Sequence, residues 1–164
     1  MNKVFLLKAI QKHTLESTAD IIMPTRFQKG DKEAVSRAAE VHLMRLPDSS
    51  AAHKKAPYIL HQLLTGVDVQ TEGNHEESSA VIRTIFAVYN ENEEEGALML
   101  LNLMERLRIS LLKERVLDKR YQLDLKSGLE VLVYPDDTNP YYAGEMVSTW
   151  IVPSIKREVV SEWL

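Results

Sequence analysis

The chain has 164 residues, a net charge of −4 and no cysteine. This length suits one domain spanning residues 1–164. Apolar residues make up 45% of the chain, which is enough to form the core of such a domain. The absence of cysteine excludes disulfides, thiolate metal sites and cysteine nucleophiles. A mildly acidic chain does not coat nucleic acid by bulk charge. No window approaches the ~18 apolar residues of a membrane span, so we expect no contact with a membrane.

The first half of the chain predicts one helix and several strands. The spacing of Val4, Leu7 and Ile10 predicts an amphipathic helix over residues 2–17. Ile21–Met23 fits a short strand that ends at Pro24. Alternation of apolar and polar residues predicts strands, and residues 57–67 fit either a helix or a strand, with the flanking Pro57 and Gly66 favouring a strand. The predicted strands are 38–46, 57–67 and 80–89, the last of them apolar on both faces and therefore central.

Residues 68–79 are polar and predict an exposed loop. A loop of about a dozen residues is long for a hairpin connection. We therefore expect it to be mobile in the free subunit and to become ordered against a neighbouring molecule.

The second half predicts the fold class. An amphipathic helix is expected over 97–115, with Leu100, Met104, Leu107 and Leu111 buried and with acidic residues before its start. A hairpin of strands 121–125 and 129–134, a turn at 135–140 and a strand at 142–152 follow. The whole predicts an α+β fold, with a mainly antiparallel sheet packed by an N-terminal helix and a long central helix.

The residue chemistry does not predict a catalytic site. The five histidines form no metal-binding pattern on a helix. The acids at 91–95 are expected at a helix start because they complement its dipole. No phosphate-binding loop or nucleophile elbow occurs. We therefore expect no enzyme activity, no cofactor and no catalytic metal, and we interpret the histidines as surface or core residues.

Charged and apolar groups outside the predicted core are the candidates for contact with a partner. One basic group surrounds the turn after Pro47, and Glu72, His75 and Glu76 lie in the polar loop. These residues are either solvated faces or contacts with an acidic partner or passing nucleic acid. Apolar residues at 159–164 have no evident place in the core of the domain. The candidate interface residues are Arg45, Lys54, Lys55, Glu72, His75, Glu76, Val159, Val160, Trp163 and Leu164.

The order of these pieces resembles a known family. The strand Ile82–Tyr89 leads at once into an acidic helix start and a leucine-rich helix, and the segment Tyr141–Glu145 leads to Thr149 and Trp150. Together with 43–47 and 57–60, this arrangement resembles the tail terminator (tail completion, or head–tail joining) proteins of long-tailed phages. The resemblance covers roughly residues 38–153, and residues 18–37 and 154–164 have no counterpart in it.

The resemblance implies a structural protein of the virion. Such proteins are made in the host cytoplasm and form a ring, commonly a hexamer, at the head-proximal end of the tail. The implied partners are copies of the chain itself, the major tail tube protein, the head–tail connector or neck protein, and DNA passing through the channel. The alternative is another ring or adaptor component of a phage neck, baseplate or contractile injection machine. A small enzyme or regulator is the third hypothesis.

Overall fold

The computed structural model describes residues 2–26, 35–47, 55–73, 75–135 and 138–158. The described chain mixes helix and strand. Its helices are α1 (Lys3–Thr18) and α2 (Glu93–Glu114). Its strands are β1 (Met23–Pro24), β2 (Ser36–Arg37), β3 (Glu40–Leu43), β4 (Tyr58–Thr71), β5 (His75–Tyr89), β6 (Val116–Leu117), β7 (Tyr121–Leu123), β8 (Leu129–Val133) and β9 (Tyr141–Val152).

Within the described residues the main sheet has seven strands and is mostly antiparallel. Its order is β3-β4-β5-β9-β7-β6, and β8 also pairs with β9. Only the pairing of β3 with β4 is parallel among these ladders. β1 and β2 form a separate antiparallel pair. The strand predicted over 80–89 lies at the centre, because β5 pairs with β4 on one edge and with β9 on the other.

Both helices begin at an asparagine cap. The Asn2 side chain accepts from the Val4 N–H at 2.8 Å, and Asn92 accepts from the Glu95 N–H at 3.0 Å. Each cap satisfies a backbone donor that has no partner inside the helix. Glu93, Glu94 and Glu95 occupy the first turn of α2, as expected of acids near the positive end of a helix. Arg115, with φ of 59°, ends the helix.

One face of the sheet shares its core with both helices. Leu6 and Ile10 of α1, Leu107 of α2, and Phe86 and Trp150 of the sheet are all buried in one cluster. α2 lies very close to β9, since a Cβ on Gly144 would stand 2.8 Å from Met104 and 2.9 Å from the Leu132 carbonyl oxygen. The predicted inward residues of α2, namely Leu100, Met104, Leu107 and Leu111, are confirmed as buried.

The predicted loop over residues 68–79 is wrong. β4 continues to Thr71 and β5 begins at His75, so this segment is a β-hairpin with a short turn. Gly73 turns the chain with φ of +82°. The β-branched series Thr65, Val67, Val69 and Thr71 alternates with Gly66, Asp68 and Gln70, which is the period of a strand. A strand exposed on both faces carries few apolar residues, and for that reason its sequence looked like a loop.

The predicted hairpin of strands 121–125 and 129–134 is also wrong. β7 and β8 do not pair with each other, and each pairs with a different part of β9. Leu123 lies opposite Trp150, whereas Leu129 lies opposite Ser148. β9 has 12 residues and is long enough to bind both short strands along one edge.

The stripe predicted for the first helix was misplaced. Leu7 and Ile10 are buried as expected, but Val4 and Phe5 are about half exposed and Leu6 is fully buried. Two buried threonines, Thr14 and Thr18, complete the inward stripe. The second helix begins at Glu93, four residues before the predicted start, because Asn92 caps it.

Candidate protein-interaction surface

The charged residues proposed from the sequence do not form one site. Glu72 and His75 lie exposed at the turn of the β4–β5 hairpin, with Glu76 beside them. Lys55 precedes the other end of β4, and the exposed Arg45 follows β3. Lys54, Val159, Val160, Trp163 and Leu164 lie outside the described residues. Among the described candidates, only Glu72, His75 and Glu76 therefore lie close together, and they do so because they belong to one hairpin turn.

The face of the sheet opposite the helices offers a different surface. Alternation along β5 directs Ile82, Thr84 and Phe86 into the helix-backed core, so Val81 and Arg83 lie on the other side. The strand register extends this face across four strands, and we call it the open face. The open face comprises Gln62, Thr65, Val67, Val69, Glu77, Ser79, Val81, Arg83, Glu130, Leu132, Glu145, Val147, Thr149 and Ile151.

Exposed aliphatic side chains lie on the open face among polar ones. Val67 and Val69 are each 48% exposed, Leu132 is 48% exposed and Ile151 is 43% exposed. Val81 and Val147 lie between them and are half-buried. Contiguous exposed apolar groups mark sites of protein association, whereas single ones do not. The open face therefore has the composition of a protein–protein interface.

An ion pair lies in the middle of the open face. The Arg83 Nε donates to the Glu145 carboxylate, and its Nη2 donates to the Tyr134 hydroxyl at 3.1 Å. The hydrogen bond to Glu145 is the main reason that the pKa of Arg83 is raised above its ordinary value. The two paired side chains neutralise each other. A fixed arginine surrounded by apolar side chains is typical of residues that contribute most to binding in interfaces.

The opposite end of the same face is already covered. Tyr58, Leu60, Ala87 and Tyr89 form a second buried cluster with Ala56, and Leu46 and Tyr141 pack against it. The rings of Tyr89 and Tyr141 lie 5.5 Å apart and are tilted by 57°. The exposed part of the open face therefore runs from the hairpin to Arg83 on β5, and on β8 it reaches Leu132.

Two edges of the sheet end the open face on opposite sides. β3 pairs with β4 only as far as His61, and no described strand continues that pairing beside Thr65–Val69. Met44, with φ of 66°, turns β3 away, and its sulfur accepts from the Leu63 N–H at 3.3 Å. On the other side β8 pairs with β9 alone among the described strands. Strand edges of this kind bind other strands through their backbone groups.

A buried polar triad beneath the sheet is structural. The His61 ring lies 2.9 Å from the Thr14 hydroxyl through Nε2 and 2.7 Å from the Thr84 hydroxyl through Nδ1. Thr14 donates its only hydroxyl proton to the Ile10 carbonyl oxygen, so His61 Nε2–H donates to Thr14 and Nδ1 accepts from Thr84. His61 is 0% exposed, so no substrate reaches it.

Burial also determines the charge of this histidine. It lowers the pKa of His61 to about 3, because an imidazolium at this position would lose its solvation. The ring is therefore neutral at ordinary pH. This confirms the interpretation of a core histidine with satisfied hydrogen bonds, and it separates His61 from His42, whose ring contacts Glu40 on the other side of the sheet.

The described residues contain no metal-binding cluster of histidine and carboxylate groups. Within the same ranges, neither helix is long and apolar enough to cross a membrane. No protein-family model matches the chain, and no curated protein matches its sequence.

Proposed function

We propose that this chain is a structural subunit of a phage tail, and that six copies form a closed ring. The ring terminates the tail tube at its head-proximal end and joins it to the head or neck. In this proposal the partners are other copies of the chain, the major tail tube protein and the connector protein, with DNA passing through the channel. The observation that carries the proposal is the open face with its exposed aliphatic side chains, which ends on each side at a strand edge that no described strand pairs with.

The two edges favour association of copies in a head-to-tail manner. The β4 edge carries Val67 and Val69, and the β8 edge carries Leu132, so the edges differ in sequence and in their place on the sheet. Contact between two different patches repeats in one direction, which gives either a closed ring or an open filament. A terminator requires the ring, because a filament would extend the tube.

The direct test is assembly of the purified chain. We expect light scattering and negative-stain images to show rings, and added rings to stop the growth of purified tail tubes. Val67→Lys together with Ile151→Lys should abolish rings, since each places an unpaired charge in the interface. Leu101→Lys is the control, because Leu101 is 42% exposed on α2, away from the open face.

Deletion of residues 157–164 tests the contribution of the C-terminal apolar residues. The shortened subunit should fold, assemble poorly and leave tails of irregular length. Normal rings and tails from this variant would exclude that contribution. A full-length chain that stays monomeric at high concentration and ignores tail tubes would refute the terminator proposal itself.

Engineered cysteines test the order of the edges, and the natural chain has no cysteine to interfere. Cysteines are placed singly at Thr65, Val67 or Val69 and singly at Glu130 or Leu132, and the variants are then mixed. We expect disulfide-linked dimers mainly in a mixture of one β4 variant with one β8 variant, because side chains opposite each other on paired strands lie within disulfide distance. Dimers formed efficiently by the β4 variants alone would indicate a two-fold contact instead, and Leu101→Cys measures random collision.

A further inference from the structure

A cavity of about 500 Å³ lies where β9 begins. Four tyrosine rings and four alanines make up most of its wall, and the first turns of α2 close one side. Cavities of this size in proteins hold small ligands or inserted side chains. The lining residues used below are Tyr58, Tyr134, Tyr141, Tyr142, Ala97 and Glu93.

The lining favours a flat aromatic group. Alanines provide space without flexible side chains to fill it, and aromatic rings pack on one another in tilted or offset arrangements. Tyr141 of the wall already packs on Tyr89 in such a tilted arrangement. Among the described residues of the lining, Glu93 is the one carboxylate.

The chain has two tryptophans, and one of them is already accounted for. Trp150 is 0% exposed in the core of the sheet, and its indole N–H donates to the Ser148 hydroxyl at 2.9 Å. Trp163 belongs to the apolar group Val159, Val160, Trp163 and Leu164. It is therefore an aromatic group of this chain that the described core does not use.

The path of the chain after β9 leads away from the cavity. Ile155 lines the same groove as Asp68 and Ser78, at the hairpin end of β5. From Ser78 to Ala87, which faces the cavity, β5 runs nine residues, or roughly 30 Å. From Ile155 to Trp163 the chain has eight residues and spans about 29 Å at most. Trp163 would thus reach the cavity of its own copy only if residues 155–163 were fully extended. Insertion into the cavity of a neighbouring copy does not require this extension.

Charge orients this segment but does not select it, because Glu158 and Glu162 balance Lys156 and Arg157. Glu93 lines the cavity, and the exposed Glu94 and Glu95 lie next to it on the first turn of α2. Lys156 and Arg157 are exposed and precede the apolar group by a few residues. Opposite charges on the two surfaces steer association and align the partners.

We propose that Trp163 of one copy inserts into the tyrosine-lined cavity of the neighbouring copy, with Lys156 and Arg157 beside the acidic start of α2. This inference rests on the self-association in the proposed function, and it names the groups that hold adjacent copies together. A central aromatic residue in a preformed pocket is the usual source of binding energy in such contacts.

Tryptophan fluorescence tests the insertion. In a Trp150→Phe chain the emission comes from Trp163 alone, and we expect it to shift to shorter wavelength as concentration rises. Fluorine NMR of the otherwise unchanged chain labelled with 5-fluorotryptophan gives the same information if Trp150→Phe fails to fold. Ala97→Leu, which fills the cavity from an exposed helix position, should weaken self-association by about tenfold or more. Asn102→Leu is the matched control on the same helix.

Mixing two variants distinguishes insertion of Trp163 into a neighbouring copy from insertion into its own copy. Trp163→Ala keeps the cavity and loses the indole, whereas Ala97→Leu keeps the indole and loses the cavity. Each variant alone should associate weakly. In the mixture, the cavity of the Trp163→Ala chain can bind Trp163 of the Ala97→Leu chain, so dimers of the two variants should form. A blue-shifted emission that does not depend on concentration would overturn the inference in favour of insertion within one copy. Rings in which Trp163 stays solvent-exposed would overturn it but leave the proposed function standing, and a chain that never associates would refute the proposed function.

Discussion

Replacing Leu107 with alanine is expected to lower the free energy of unfolding by about 2–5 kcal/mol. Leu107 is 0% exposed in the middle of α2, in one cluster with Leu103, Met104 and Phe86. Truncation removes buried methyl groups and leaves a cavity that a rigid sheet does not close. For a chain of this length the change corresponds to a midpoint of thermal unfolding lower by roughly 4–20 °C.

Leu101→Ala provides the matched control for this experiment. Leu101 lies on the same helix but is 42% exposed, so its truncation should cost less than half as much. Denaturant unfolding followed by circular dichroism measures both variants. Equal losses would show that α2 does not bury Leu107 in the folded chain. The comparison should use dilute protein, so that subunit association does not add to the stability.

The second expected result is a loss of stability as pH falls from about 6.5 towards 3, to which His61 contributes. In the folded chain the pKa of His61 is lowered to about 3 by burial, whereas a histidine in an unfolded chain titrates near 6.5. Between these values the unfolded state binds a proton that the folded state does not. Stability therefore decreases with falling pH, by up to about 1.4 kcal/mol for each pH unit and roughly 5 kcal/mol in total.

His61→Gln isolates this contribution. Glutamine offers one donor and one acceptor in place of Nε2–H and Nδ1, so Thr14 and Thr84 retain possible partners. The variant is expected to be less stable at pH 7 but to show a weaker dependence of the unfolding midpoint on pH between 4 and 7.

Other groups titrate in the same experiment, but their contributions to the pH dependence cancel when His61→Gln is compared with the unchanged chain. A hydrogen bond from Arg106 lowers the pKa of Asp20, and one from Arg108 lowers the pKa of Glu105. Burial lowers the pKa of His13. All three groups are present in both chains, so the difference between the two slopes belongs to position 61. An unchanged slope in His61→Gln would show that His61 is not the source of the pH dependence.

The sequence predicted the elements whose composition is unambiguous. β5 is rich in β-branched and aromatic residues between Val81 and Tyr89, and α2 carries leucines at helical spacing, so both were identified. Their first residues were misplaced by four or five positions, and the end of α2 by one. The hairpin beyond Val67 was missed because Asp68, Glu72 and Gly73 indicate a turn-rich segment. The pairing of β7 and β8 was misjudged because neighbours in sequence usually pair, whereas here β9 offers each a longer partner.

The candidate surface was harder to predict than the fold. Charged residues such as Arg45, Lys55 and Glu72 attract attention in a sequence, but the structure scatters them. The open face carries valine, leucine and isoleucine among its polar residues, and these look like core residues until the register shows which side of the sheet they occupy. Val81 and Ile82 differ by one position, yet the first lies on the open face and the second is fully buried. Only three-dimensional pairing decides that difference.

The position of β9 has a consequence for how the chain is made. β5 pairs with β9 from Ser78 opposite Val152 to Tyr89 opposite Tyr141, and β7 and β8 also pair with β9. During synthesis from the N-terminus, every one of these strands leaves the ribosome before its partner exists. Such long-range pairing makes folding slow and leaves strand edges exposed in the nascent chain. Release of the last segment is therefore the event that completes the sheet, and a chain interrupted before residue 141 is expected to aggregate.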